Sequence, residues 1–335
     1  MSEKVAVIGA GSWGTTVAAL TAANAPTLLW ARDVELAASI HRDRVNPRYL
    51  AEHVLPEGLG ATHDIAEAVA GASLVIMAVP SHGFRAVATE LAATLLAGIP
   101  VISLTKGLER GSQLRMTEVL TELLPDNPNG VLTGPNLASE VAAGQPTAAV
   151  VALVDQGIAC RVQDLMMSRT FRVYTSADVR GCEIAGALKN VLAVAAGISD
   201  GLGFGDNTRA ALITRGLAEM GRLGVRLGGD RMTFAGLAGV GDLVATCTSP
   251  RSRNRTVGVA LGQGRTLDDI LAEMTMVAEG VKTARPMVEL AASLGVEVPI
   301  AVQVADLLEG VRSPAEAIAA LMDRPAVAEF PGSPS

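Results

Sequence analysis

Apolar and polar positions follow two different rhythms along this chain. Up to about residue 176, short and nearly unbroken apolar runs alternate with longer amphipathic ones. The runs Lys4 to Ile8, Thr27 to Trp30, Ala72 to Val79, Pro100 to Leu104, Val131 to Thr133, Ala148 to Val154 and Phe171 to Tyr174 predict strands. Strands apolar on both faces are those of a parallel sheet covered by helices. Between them helical periodicity predicts helices over 15–23, 82–96, 113–124 and 156–167. Beyond 176 only helical runs follow, over 178–199, 207–226, 254–262, 267–274, 280–294, 300–310 and 314–321. The pattern predicts a doubly wound α/β domain over 1–177 and an all-helical domain over 178–322. A loosely ordered tail is expected over 323–335, where Pro325, Pro331 and Pro334 fall.

Length supports the division, because 335 residues exceed the usual size of one hydrophobic core. Hydrophobic residues at 49% and charged residues at 18% fit a packed globular chain. A net charge of −7 argues against a general nucleic-acid binder, although it permits a local basic pocket for an anion. Cys160, Cys182 and Cys247 have no CxxC spacing, and the four histidines lack ligand spacing. A reducing compartment and no metal site are therefore expected. Lys4 opens the first strand with no leader-like segment before it, and no apolar run is long enough to span a bilayer, so a cytoplasmic protein without membrane insertion is expected.

The first strand runs directly into Gly9-Ala-Gly11-Ser12-Trp13-Gly14 and then into a helix. In that context the three glycines read as a dinucleotide-binding turn, and the domain as Rossmann-like. Gly9 serves the tight turn, Gly11 lets a pyrophosphate approach the backbone, and Gly14 lets helix and strand pack closely. The second strand ends at Arg32-Asp33. Asp33 reads as the N-cap of the next helix, which leaves Arg32 for the 2′-phosphate of NADP. The turns after residues 8, 30, 79, 104 and 133 all follow strand carboxyl ends, where open α/β sheets bind ligands. Topology thus puts Lys106 at the ligand edge, although a solvated turn lysine would read the same way.

Only Lys4, Lys106, Lys189 and Lys282 are lysines; every other basic side chain is Arg, which does not readily lose its proton. Lys189 and Asn190 interrupt a run of Ala, Leu, Val and Gly from 186 to 201. Either Lys189 snorkels to solvent, or burial brings its pKa toward the range useful for proton transfer. Asp242 sits among glycines and aliphatic residues and needs a cationic or N–H partner, for which Lys189 is the candidate. In Ser249-Pro-Arg-Ser-Arg-Asn-Arg255, Ser252 can cap the following helix, with Arg253 and Asn254 at its positive end. That is either an anion site or a solvated basic turn.

Together these segments resemble the bacterial NAD(P)-dependent sn-glycerol-3-phosphate dehydrogenases over nearly the whole chain to about residue 322. The resemblance is carried by Gly9 to Thr15, Thr105-Lys-Gly-Leu-Glu109, Gly134-Pro135 with Ala138 and Glu140, the run from Gly186 to Gly216, Gly236 to Ser249, Ser252 to Arg255, and Val277 to Gly280. It implies hydride transfer between NAD(P)H and dihydroxyacetone phosphate, giving sn-glycerol 3-phosphate for glycerophospholipid synthesis. Gly9, Gly11, Ser12, Trp13, Gly14, Arg32, Lys106, Ala138, Arg253, Val277 and Glu279 would contact the cofactor. Lys106, Gly134, Asn136, Lys189, Asn190, Asp242, Ser252, Arg253 and Asn254 would line the substrate pocket. Lys189 would be the proton donor, aided by Asp242 and Lys106. Where the family usually has a small hydroxyl residue and an aromatic or His, this chain has Asn136 and Leu137. A homodimer is common among proteins of this plan. A β-hydroxyacid or 6-phosphogluconate type dehydrogenase, or a non-catalytic dinucleotide sensor, would share much of the pattern.

Overall fold

The computed structural model describes residues 3–274, 276–326 and 329. Eight strands form one sheet: β1 (Val5–Ile8), β2 (Thr27–Trp30), β3 (Leu59–Thr62), β4 (Leu74–Met77), β5 (Val101–Ser103), β6 (Asn129–Thr133), β7 (Thr147–Ala152) and β8 (Phe171–Ser176). Their order is β3-β2-β1-β4-β5-β6-β7-β8. Helices α1 (Ser12–Ala22), α2 (Val34–Asp43), α3 (Ile65–Val69), α4 (Ser81–Ala92), α5 (Met116–Leu123), α6 (Ala138–Ala142) and α7 (Gln156–Met166) connect them. Side-chain alternation along each strand feeds both faces. Val5 and Val7 pack with Val17 and Ala18 of α1, while Ala6 and Ile8 join Phe84 and Leu91 of α4. The order reverses between β1 and β4, which opens a crevice at their carboxyl ends.

The sheet departs from the all-parallel expectation at one place: β7 runs antiparallel to β6, and β8 follows β7 in parallel. Between β6 and β7 the only helix is the five-residue α6, too short to carry the chain back across the sheet for a parallel return. The ligand edge is unaffected, because β1, β2, β4, β5 and β6 still end together. β3 escaped the sequence pattern because Leu-Gly-Ala-Thr at a sheet edge has little apolar signal. The helix expected from Gln113 starts at Met116, since Gln113 adopts φ 61°.

After β8 the chain is helical: α8 (Val179–Gly201), α9 (Asp206–Arg226), α10 (Arg231–Ala235), a π-helical turn Leu237–Gly241, α11 (Asp242–Thr248), α12 (Arg253–Gly262), α13 (Leu267–Glu273), α14 (Glu279–Ser293), α15 (Pro299–Leu308) and α16 (Pro314–Met322). The sequence pattern shows no helix at α10, the π turn or α11, because α10 and α11 are too short to display a helical period and Gly239 and Gly241 interrupt the π turn. By length and composition α8 could cross a bilayer, yet every residue from Gly181 to Ser199 is buried inside the protein. Its core is shared with the sheet, for Val131, Val150 and Ala152 belong to the same cluster as Leu188, Val191 and Leu192. Most of the expected tail, residues 327, 328 and 330–335, lies outside the described residues.

Candidate active site

The glycine turn is built by contact. Gly9 has φ 118°, and a methyl group there would lie 2.6 Å from the Ala78 carbonyl oxygen. A methyl on Gly14 would overlap the Gly9 carbonyl. Gly11 differs: a methyl there would meet nothing within 4 Å. That open side adjoins the start of α1, which no side chain caps, so its first N–H groups remain available. Trp13 Nε1 is buried without a partner among the described residues. Free amides and an open glycine face together fit a dinucleotide phosphate.

Arg32 is exposed and, among the described residues, pairs with no carboxylate. Its neighbour Asp33 is occupied, accepting from Leu36 N at 3.1 Å and from Arg48 Nη2 at 2.8 Å. The Leu36 amide and the Arg48 guanidinium hold its carboxyl below the usual range. Arg48 therefore lies beside Arg32 at the end of β2, a second cation that the sequence pattern had not singled out. Ser12 Oγ donates to the Tyr49 carbonyl at 2.9 Å and approaches Met276 Sδ at 3.3 Å, so residues near 276 from the helical part reach the glycine turn.

From β1 the path to the other half is short. Gly9 abuts Ala78; Thr105 Oγ1 donates to the Val79 carbonyl at 2.6 Å; Lys106 follows at the end of β5. Lys106 Nζ donates to the Gly134 carbonyl at 2.9 Å and to Asp242 Oδ2 at 2.6 Å. Lys189 Nζ donates to Asp242 Oδ1 at 2.9 Å and to Thr246 Oγ1 at 2.7 Å. Lys189 is 7% exposed and Asp242 1%, so this ammonium does not snorkel. One buried carboxylate thus joins two lysines from different halves of the chain. Burial pushes the Asp242 carboxyl up, but the two ammonium groups outweigh it and hold it below its ordinary value. Burial and the neighbouring Lys189 outweigh Asp242 at Lys106, whose pKa falls to about 8. Thr246 was not anticipated, although it stands one helical turn from Asp242 on α11.

A second layer braces the lysines. Asn190 Nδ2 donates to the Lys106 carbonyl at 2.8 Å, and Asn190 Oδ1 accepts from Asn254 Nδ2 at 2.8 Å. Asn254 Oδ1 accepts from Gly280 N at 2.9 Å. Asn190, expected in the substrate pocket, braces the two halves through these contacts. Ser252 caps α12 through Arg255 N at 3.3 Å. Arg253 Nη1 donates to the Val277 carbonyl at 2.8 Å and has no carboxylate partner among the described residues. Both amide atoms of Asn136, and Thr133 Oγ1, are buried beside Gly134 without partners among the described residues. Glu279, expected at the cofactor, spends both oxygens on Ser81 N (3.0 Å) and Ser81 Oγ (2.5 Å) at the start of α4. Ala138 opens α6, its carbonyl accepting from Thr16 Oγ1 at 3.3 Å.

A family model described as the N-terminus of NAD-dependent glycerol-3-phosphate dehydrogenase matches residues 4–159. The corresponding C-terminus model matches residues 178–319. The chain belongs to this family. It is 56% identical over 313 residues to glycerol-3-phosphate dehydrogenase [NAD(P)+] 2 of Sphingopyxis alaskensis, covering 93% of this chain and 94% of that protein. It is 53% identical over 302 residues to glycerol-3-phosphate dehydrogenase [NAD(P)+] of Mycobacterium avium, covering 90% and 89%. The crystal structure of glycerol-3-phosphate dehydrogenase from Coxiella burnetii superposes with a TM-score of 0.93 at 38% identity, covering 96% of this chain and 99% of that one. Family membership through both halves sets aside the β-hydroxyacid and sensor alternatives. Among the described residues no group of His, Cys, Asp and Glu could hold a metal ion.

Proposed function

We propose that this protein interconverts dihydroxyacetone phosphate and sn-glycerol 3-phosphate with NAD(P)H in the cytoplasm, as a homodimer, supplying glycerol 3-phosphate for glycerophospholipid synthesis. The observation that carries this reading is the Lys106–Asp242–Lys189 cluster, buried at the strand carboxyl edge beside a dinucleotide-type turn. The free amides of Ser12 to Gly14 hold the pyrophosphate, and Arg32 receives a 2′-phosphate where one is present. When bound, the nicotinamide supplies the hydride that the C2 ketone accepts.

The chain supplies the rest. Lys189 has three donors and spends two on Asp242 and Thr246, which leaves one for the C2 oxygen. It stabilises the negative charge that grows there and then gives up its proton; in the reverse direction it takes the proton back. Lys106 has a spare N–H as well and adds positive potential at the same oxygen. Arg253 and Asn254, with the Ser252 cap, grip the phosphate, so binding energy remote from C2 aligns the ketone. The orphaned Asn136 amide can hydrogen-bond a substrate hydroxyl where the family usually uses a hydroxyl residue.

The test is oxidation of NADH and of NADPH by the purified protein when dihydroxyacetone phosphate is added. Turnover with this ketone, and far less with phosphate-free 2-ketoacids, is expected. Turnover with the ketoacids alone, or none with any ketone, would overturn the reading.

A further inference from the structure

The phosphate-facing residues sit at the start of α12, and that start is held from behind by a group with no other evident task. Helix α12 crosses α8 with backbone against backbone. A methyl on Gly197 would overlap the Arg255 carbonyl, and one on Gly258 would overlap the Val194 carbonyl. Gly201 and Gly262, each four residues further along, repeat the arrangement. A crossing made through glycines brings the helices close but has few side-chain knobs to fix register. Polar pins must do so instead. On one side of the crossing Asn254 reaches back to Asn190 at 2.8 Å. On the other side Arg255 reaches forward to Asp200, with Nε and Nη2 each 2.7 Å from Oδ2. Arg209 takes the second oxygen, its Nε at 3.0 Å and Nη2 at 2.8 Å from Oδ1. Asp200 is 8% exposed and Arg255 19%.

Asp200 lies eleven residues beyond Lys189 on α8, roughly 16 Å along the axis at 1.5 Å per residue. It is thus about three turns from the reacting oxygen. Arg255 directly follows Arg253 and Asn254, so any rotation of the first turn of α12 moves all three.

We propose that Asp200, acting through Arg255, is a positioning residue for phosphate recognition, pinning the first turn of α12 so that Arg253 and Asn254 face the substrate phosphate. The proposal rests on the assignment of Arg253 and Asn254 to that phosphate. Arg209 completes the pin by neutralising the other oxygen, so a partly buried carboxylate stays satisfied on both sides.

The experiment compares Asp200→Asn and Arg255→Met in steady state with dihydroxyacetone phosphate and with phosphate-free dihydroxyacetone. Displacing a binding group by a fraction of an ångström should raise KM for dihydroxyacetone phosphate about tenfold or more. The expected loss is confined to the phosphorylated substrate: the slow turnover of dihydroxyacetone stays as in the parent. Because both residues act through one contact, the double variant should be no worse than the poorer single one. If Asp200→Asn does not fold, Arg255→Lys keeps the charge, loses the two-point grip and gives the same reading at smaller size. Equal losses with both ketones, or an unchanged KM for dihydroxyacetone phosphate, would overturn the proposal. Arg253→Ala separates the two levels. If it leaves KM for dihydroxyacetone phosphate unaltered, the phosphate assignment itself fails; if it raises KM while Asp200→Asn does not, only the pin fails.

Discussion

Two places in this molecule offer positive potential to an anion, the Gly9–Gly14 turn and the Lys106–Asp242–Lys189 cluster, and they are made from different materials. The turn uses the uncharged backbone amides of Ser12 to Gly14, positioned by glycines pressed against Ala78 and against each other. Nothing charged is buried there, so the turn carries little desolvation cost. The cluster instead buries three formal charges drawn from the turn after β5, from α8 and from α11. Each would be costly alone, and only their mutual pairing offsets the loss of water. A site of the first kind can be altered one residue at a time. A site of the second kind stands or falls as a unit.

The largest expected effect lies in the cluster. Lys189→Ala should lower turnover by about two to four decades, the usual contribution of a positioned acid–base group, with folding checked by thermal melting. Asp242→Ala should go further, because it strands two buried ammonium groups. A stability loss of about 3–5 kcal/mol is expected, read as a lowered Tm together with lost activity. Should Asp242→Ala melt like the parent, the two regions would not differ in the way described.

In the turn, Gly11→Ala offers the opposite outcome. The added methyl meets no protein atom, so Tm should stay unchanged. It does meet the path of a pyrophosphate, where overpacking costs about 1–3 kcal/mol, so KM for NADH should rise by about five-fold or more. A drop in Tm with KM unaltered would show that the open face serves folding and not a ligand.

The pH profile sharpens the contrast further, because only the cluster titrates. Lys106 has its pKa pushed down to about 8 from an ordinary 10.5. The ketone-reducing rate should therefore fall above about pH 8 as that cation is lost, and Lys106→Arg should flatten this limb. The linked stability runs the other way. Between about 8 and 10.5 the unfolded chain binds the proton that the folded one has released, so stability from this group rises with pH across that window. Urea midpoints measured at pH 7.5 and 10 in parent and Lys106→Arg check the sign.

What could be read from sequence follows the same division. The glycine turn was legible because its parts are contiguous and its strand and helix flank it. Lys106 was legible through topology, since the residue after a parallel strand must lie at the ligand edge. Lys189 and Asp242 showed as charges in apolar company, and buried charges need partners, so their pairing could be inferred. That Lys106 takes the other oxygen of Asp242, and that Thr246 receives Lys189, depends on how α11 docks, which no local pattern encodes. The reversal of β7 was hidden because strand direction depends on what the α6 segment can span. Glu279 read as a cofactor residue; its contact with Ser81, between residues nearly two hundred apart, is one that no local pattern encodes.

The smallest expected effect returns to the sheet edge, at Arg32. Asp33 is held by the Leu36 amide and Arg48, so Arg32 is, among the described residues, the exposed cation left without a carboxylate partner at the end of β2. A 2′-phosphate there would meet it in solvent, where such a pair contributes about 1 kcal/mol or less. Arg32→Ala should thus raise KM for NADPH by roughly fivefold at most, and leave KM for NADH almost unchanged. Added salt should erase most of the difference, because exposed charges are screened within about 10 Å at 0.1 M. Equal losses for both cofactors would place Arg32 on the part of the dinucleotide they share. The cofactor preference would then have to come from Arg48, whose own pairing with Asp33 leaves part of its guanidinium exposed.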